Sequence, residues 1–223
     1  MGMTPLTPSA RIDQLTLADD PESWGSLGFV VSDGTVQLGS VRVVLAGKGS
    51  GRGILGWSLR KVASVELDGL PTVVSDVPKA QTQMPAHANG ITAIDHLVAM
   101  SPDLDRSVQA LQAAGLDLRR IREQPTPAGA PRQAFFRLGE VILELVQEPE
   151  EILAARADGT DGPSRFWGLA LLSDDLERTV QRLGEHCGEI RAAVQPGRRI
   201  ATLKRSAGLA VPVALMSRAN SGA

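Results

Sequence analysis

The stretch Ile94-Asp95-His96-Leu97-Val98-Ala99 opens a segment that Val141-Ile142-Leu143-Glu144-Leu145-Val146 closes. Further along, Trp167-Gly168-Leu169-Ala170 opens a second segment and Val213-Ala214-Leu215-Met216 closes it. Between these ends the two segments follow one order. In the first, an apolar strand at 93–100 leads to Ser101-Pro102-Asp103, a helix start with Ser101 as N-cap and Pro102 in the first turn. Leu104, Val108 and Leu111 then recur at helical spacing, and Gly115 ends the helix. Strands follow at 116–123, 132–138 and 140–147, with a Pro/Gly/Ala-rich loop at 124–131. The second segment repeats this order, with a cap at Ser173-Asp174-Asp175, a buried helix face of Leu176, Val180 and Leu183, and strands at 189–194, 199–204 and 210–216. Glu144 follows His96 by 48 residues, and Ala214 follows Gly168 by 46. Shared element order and shared internal length mark a tandem β-α-β-β-β repeat.

A shorter copy precedes these two. Ile12-Asp13-Gln14-Leu15 echoes Ile94-Asp95-His96-Leu97, and Val36-Gln37-Leu38-Gly39-Ser40-Val41 echoes Phe136-Arg137-Leu138-Gly139-Glu140-Val141. Asp20-Pro21-Glu22 is its helix start, and its middle hairpin has shrunk to the turn Ser32-Asp33-Gly34. The chain therefore reads as a disordered start at 1–10, a degenerate unit plus extra strands at 11–77, and a polar linker at 78–91. The unit at 92–147 and a linker at 148–164 come next, then the unit at 165–217 and a disordered tail at 218–223. Residues 54–77 read equally as extra strands or as half of a fourth copy. The fold class is α+β, with cupped mixed β-sheets flanked by helices.

The 223 residues suffice to bury a real core. A net charge of −2 supplies no electrostatic case for nucleic acid or a membrane surface. The basic runs Arg119-Arg120-Ile121-Arg122 and Gly197-Arg198-Arg199 read as solvated strand edges. A single cysteine, Cys187, excludes an internal disulfide and fits a reducing cytoplasm. No apolar run approaches the roughly 18 residues of a membrane span, and residues 1–10 have no signal-peptide pattern. The glycines of 47–53 lack P-loop spacing, and His186-Cys187 lacks a third partner for a nucleophilic pair. His87, in the linker, reads as solvated. An odd number of units leaves a sheet edge open, which makes a homodimer the expected way to cover it.

A tandem β-α-β-β-β unit whose first strand reads Ile94-Asp95-His96-Leu97 and whose last carries Leu143-Glu144-Leu145 resembles the vicinal oxygen chelate superfamily. Glyoxalase I, extradiol dioxygenases, methylmalonyl-CoA epimerase and the bleomycin-resistance proteins belong to it. The resemblance covers 92–217 well and 11–46 weakly. It implies that two units pair edge to edge into a cupped sheet, each supplying one metal ligand from its first strand and one from its last. His96 and Glu144 match those positions. Gly168 and Ala214 occupy them in the second unit and cannot ligate.

The implied cofactor is a divalent metal such as Zn, Ni, Mn or Fe, held by nitrogen and oxygen ligands with positions left for substrate oxygens; no organic cofactor is expected. Gln14, at the His96-equivalent position of the N-terminal copy, is the remaining candidate ligand, provided that copy pairs with 92–147. Arg132 and Arg199 are candidates for holding an anionic substrate group, and Trp167 beside Gly168 for walling a pocket that the small residues Gly168 and Ala214 enlarge. His96 and Glu144 alone form a carboxylate–imidazole couple able to act as a general base. Three functions stay open. The first is a small-molecule-binding protein with an incomplete metal site. The second is a metal-dependent lyase, isomerase or dioxygenase acting on vicinal oxygens through His96 and Glu144. The third is a non-catalytic partner-binding subunit.

Overall fold

The computed structural model describes residues 10–75, 85–126 and 129–219. Two sheets form the molecule. The larger is built from β6 (Ile91–Ser101), β7 (Asp117–Arg122), β8 (Gln133–Leu138), β9 (Val141–Gln147), β10 (Arg165–Ser173), β11 (Arg191–Ala192), β12 (Arg199–Thr202) and β13 (Val213–Ser217). Their order is β11-β12-β13-β10-β6-β9-β8-β7. Within each unit the first strand runs parallel to the last, β6 with β9 and β10 with β13. The two units meet where the first strands pair antiparallel, β6 against β10. The unit at 92–147 is thus joined edge to edge with the unit at 165–217.

Helix α2 (Leu104–Ala113) buries Leu104, Val108 and Leu111; α4 (Leu176–Leu183) buries Leu176 and Leu183. The cap of α2 differs from the expected residue, and that of α4 falls within the expected Ser173-Asp174-Asp175. Asp103, not Ser101, accepts from the backbone N–H of Arg106, and Asp175 does the same for Arg178. Ser101, two residues before the cap, ends β6 and lies fully buried against Ser107, as Ser173 does against Thr179. These matched pairs have the same offset between the units as His96 and Gly168, which are equivalent positions.

The smaller sheet contains β1 (Arg11–Leu17), β2 (Thr35–Leu38), β3 (Val41–Leu45), β4 (Ile54–Arg60) and β5 (Thr72–Val74), in the order β2-β3-β1-β4-β5. β1 pairs parallel with β3 and antiparallel with β4, and β4 runs parallel to β5. Strand for strand this repeats β10, β13, β6 and β9. The match extends to one detail. A Cβ on Gly56 would meet the Pro71 carbonyl oxygen at 2.9 Å, and one on Gly168 would meet that of Pro212 at 2.8 Å. In both, the next residue's N–H donates to that same carbonyl, from Trp57 at 3.1 Å and from Leu169 at 3.0 Å. β4 and β5 thus take the places that the first and last strands of a fourth copy would occupy.

One apolar core joins the sheets. Ile12, Leu15, Leu17, Trp57 and Leu59 from the smaller sheet share it with Leu97, Ala99, Phe136, Leu143 and Leu171 from the larger. Short α1 (Pro21–Ser26) adds Trp24, whose indole N–H donates to buried Asp19 at 3.1 Å. The segment 148–164 is more than a linker. It holds α3 (Glu150–Ala154), and Glu148, fully buried, is paired with Arg156 and Arg165. Ser164 and the Asp68 carboxylate meet there with Arg106 and Ser107, tying the N-terminal half to α2. His87 is also buried, not solvated: its Nδ1 accepts from the N–H of Val30 at 3.0 Å, and Nε2 donates to the Gln37 carbonyl at 2.9 Å. Ala10, read as part of a disordered start, is buried; residues 1–9, 76–84 and 220–223 lie outside the described residues. Among the described residues no helix is long and apolar enough to cross a membrane.

Because a backbone carbonyl cannot swing aside as a side-chain tip can, Gly168→Ala and Gly56→Ala should each lower unfolding stability by about 1–3 kcal/mol. Urea denaturation measures this. An unchanged midpoint in both variants would mean that Pro212 and Pro71 shift freely.

Candidate functional site

Directly opposed residues on neighbouring strands share a face, so the register lays out the concave side of the large sheet in rows. One row runs Ile142, His96, Ala170, Ala214. The next runs Arg120, Phe135, Glu144, Val98, Gly168. A third runs Arg122, Gln133, Val146, Met100. Exchanging β6 and β10 carries His96-Ala170-Ala214 onto Gly168-Val98-Glu144. Register as well as spacing therefore relates His96 to Gly168 and Glu144 to Ala214.

Strict alternation would send Asp95 to the core face, opposite His96. It does not go there, because the pairing with β10 slips by one residue between Ala170 and Leu171, leaving Asp95 as the extra residue of a β-bulge. The bulge turns its carboxylate beside His96. Nδ1–H of His96 donates to Oδ2 of Asp95 at 2.8 Å, and Nε2 lies 3.5 Å from Oε2 of Glu144. Arg198 reaches in from the β11–β12 turn and grips Asp95 with both terminal nitrogens, at 2.6 and 3.1 Å. Its remaining bonds go to the Ser217 carbonyl and the Gln195 amide oxygen. On the other side, the Gln133 amide donates to Glu144. The chain of contacts is Arg198, Asp95, His96, Glu144, Gln133. Burial pushes the Asp95 carboxyl up, but hydrogen bonds from His96 and Arg198 outweigh it and hold the group below the usual carboxylate range. Burial also dominates at Glu144 and lifts it above that range, against the pull of His96, Gln133 and Arg122.

Other sequence-based candidates fall elsewhere. Gln14 is on β1, opposed to Arg42 and Ser58, and its amide contacts the Thr16 hydroxyl at 3.5 Å. With Ile12, Leu15 and Leu17 turned into the shared core, Gln14 projects from the outer face of a different sheet from His96. The edge pairing that would have brought the two together is taken by β10. Arg132 is committed to Asp105 and Glu123, and Arg199 to Glu177 on α4, so neither faces the cup. Arg198, the neighbour of Arg199 in a run expected to be solvated, does reach it, through Asp95. Trp167 is 53% exposed at a second register slip in β10, and it is Phe166 that packs, edge-on to Trp57 at 5.0 Å. Gly168 does not enlarge the cup, since the Pro212 carbonyl fills the space its Cβ would take. Ala170 and Ala214 do supply a small-residue floor.

Asp95 was visible in principle: two successive polar residues inside an alternating strand signal a bulge. Arg198 was not, because its partner lies 103 residues away. Two cavities, of about 310 and 370 Å³, lie beside α4 and touch neither His96 nor Glu144.

Asp95 and Arg198 are 17% and 12% exposed in their side chains, so removing one partner strands the other. Arg198→Met should destabilise by roughly 3 kcal/mol, and adding Asp95→Asn should restore most of it; chemical denaturation of the four-member cycle measures the coupling. For Glu144, a folded pKa raised above the unfolded value means stability is greatest below the unfolded pKa and falls as pH rises through the folded one. The stability of Glu144→Gln relative to wild type should therefore increase from pH 4 to pH 8. A difference that shrinks with pH would contradict burial as the dominant influence.

Residues 93–206 match the Glyoxalase/Bleomycin resistance protein/Dioxygenase superfamily. Among solved structures, a xylose isomerase-like TIM barrel/4-hydroxyphenylpyruvate dioxygenase fusion protein aligns with 99% of this chain and 52% of its own, at 13% identity and TM-score 0.62. The chain thus spans about half the length of that protein. A mutant of 4-hydroxymandelate synthase from Streptomyces coelicolor aligns with 97% of this chain and 95% of its own, at 15% identity and TM-score 0.58. Methylmalonyl-CoA epimerase from Mycobacterium tuberculosis aligns over 58% of this chain and 90% of its own, at 17% identity and TM-score 0.46. No curated protein matches in sequence. At these identities the likeness to solved structures establishes the fold, and the superfamily match over half of the sequence establishes the lineage: the chain belongs to the Glyoxalase/Bleomycin resistance protein/Dioxygenase superfamily.

Proposed function

We propose that this chain is a small-molecule-binding protein that holds its ligand in the cup of the eight-stranded sheet, over an incomplete metal site. The observation that carries the reading is the state of the second unit. Ala214 has no ligating atom, and at 168 the Pro212 carbonyl stands 2.8 Å from where any side chain would begin. Half of the ligand set is therefore absent, and one position is closed to it. The other half is occupied by its own contacts, His96 with Asp95 and Glu144, and Glu144 with Gln133. Among the described residues no three His, Cys, Asp or Glu side chains are grouped to hold a metal ion. The divalent metal that the family implies does not fit these residues.

What remains on the concave face suits a small organic ligand. Phe135, Val98, Met100 and Val146 supply apolar surface, Ala170 and Ala214 leave room, and Gln133, Glu144 and His96 supply polar contacts. Sites of this kind are mostly apolar, with a few convergent polar groups.

The test is metal analysis of purified protein after incubation with Zn, Ni, Mn or Fe, with the melting temperature recorded alongside. The expected result is no stoichiometric metal and no shift beyond that of a His96→Ala variant. One equivalent of metal, lost in His96→Ala, would overturn this reading in favour of a metal-dependent lyase, isomerase or dioxygenase working through His96 and Glu144.

A further inference from the structure

Resting on the cup-binding reading, we infer that the ligand is an organic anion with an apolar body, and that Arg122 and Arg120 on the wall of the cup select its charge. Both sit on edge strand β7 but belong to the concave face: Arg120 is opposed to Phe135, and Arg122 to Gln133. Their placement there again depends on a bulge, the slip at Arg119. The Arg120 guanidinium lies 5.0 Å above the Phe135 ring, a cation–π contact that holds the planar fork beside an apolar surface. Arg122 is half-buried beside the Gln133–Glu144 pair and lies near enough to Glu144 to act on it electrostatically.

What separates these two arginines from their neighbours is the lack of a committed anion. Arg119 is paired with Asp117, Arg132 with Asp105 and Glu123, and Arg198 with Asp95. Among the described residues no carboxylate lies within salt-bridge distance of Arg120 or Arg122. The acids at the cup floor are already engaged, Asp95 by Arg198 and Glu144 by Gln133 and His96. A carboxylate arriving from solvent therefore finds open guanidinium donors, whose fork geometry matches two oxygens. Its body meets Phe135, Val98, Met100 and Val146. The small floor of Ala170 and Ala214 lies beyond.

The experiment titrates the full chain with 2-naphthoate and with its neutral isostere 2-naphthamide, following amide and side-chain NMR shifts. We expect 2-naphthoate to bind about tenfold more tightly, with His96 and Phe135 shifting. In Arg122→Gln and in Arg120→Gln/Arg122→Gln the preference should fall below about threefold, while Arg119→Gln retains it. If both probes bind in the cup with equal affinity, or if the preference survives the double substitution, the anion inference is overturned and the cup-binding reading stands. If neither probe moves His96 or Phe135, both fail.

Discussion

The antiparallel seam between the first strands of the two large units, β6 against β10, is the contact on which this structure depends. It buries Leu97 and Ala99 against Leu169 and Leu171 on one face and fixes the register on the other. A one-residue slip along it would send every side chain of one unit to the wrong face. The register of the seam shifts at three points, and one of these shifts shapes the site. At Asp95 it moves a carboxylate from the core side to the side of His96. In the smaller sheet the equivalent slip falls at Asp13, whose carboxylate takes Arg60 at 2.5 Å. An aspartate placed just before the site position, turned outward by a bulge and neutralised by a distant arginine, is thus a repeated feature of the two sheets.

Much of this was legible in the residues. The order β-α-β-β-β, the matching of His96 with Gly168 and of Glu144 with Ala214, and the helices at 104–113 and 176–183 follow from periodicity and caps, because those signals are local. The fourth copy was only half visible. With no helix or hairpin between them, β4 and β5 show only the Gly56–Pro71 approach, which needs a structure to be recognised. The fate of Gln14 was not legible either. Its position within its own strand equals that of His96, but which strands pair across a seam depends on the whole fold. Arg198 and Arg199 show the same limit at single-residue scale: adjacent in sequence, they alternate faces, so one reaches the cup through Asp95 and the other meets α4.

The chemistry of the cup follows from how charge is balanced there. Arg198, carried by the unit of Gly168 and Ala214, compensates the charge of Asp95. A guanidinium cannot lose its charge at any working pH, so Asp95 is neutralised permanently, without dependence on metal supply. Glu144 has no such partner and relies on Gln133 and His96, consistent with its raised pKa. Burying an unpaired carboxylate is costly, and a neutral or hydrogen-bonded Glu144 is the outcome that physics allows.

Fold does not by itself decide function, and the pseudo-symmetry of this sheet makes the point within one molecule. The rows His96-Ala170-Ala214 and Gly168-Val98-Glu144 are geometrically interchangeable, yet their side chains are not. At Gly168 the difference is more than a missing imidazole. The Pro212 carbonyl that closes in on it also accepts the Leu169 N–H, so a side chain there would disturb a hydrogen bond between β10 and the start of β13 as well as displace backbone. A side chain at 168 is thus opposed by backbone, whereas one at 214 would replace only a methyl group.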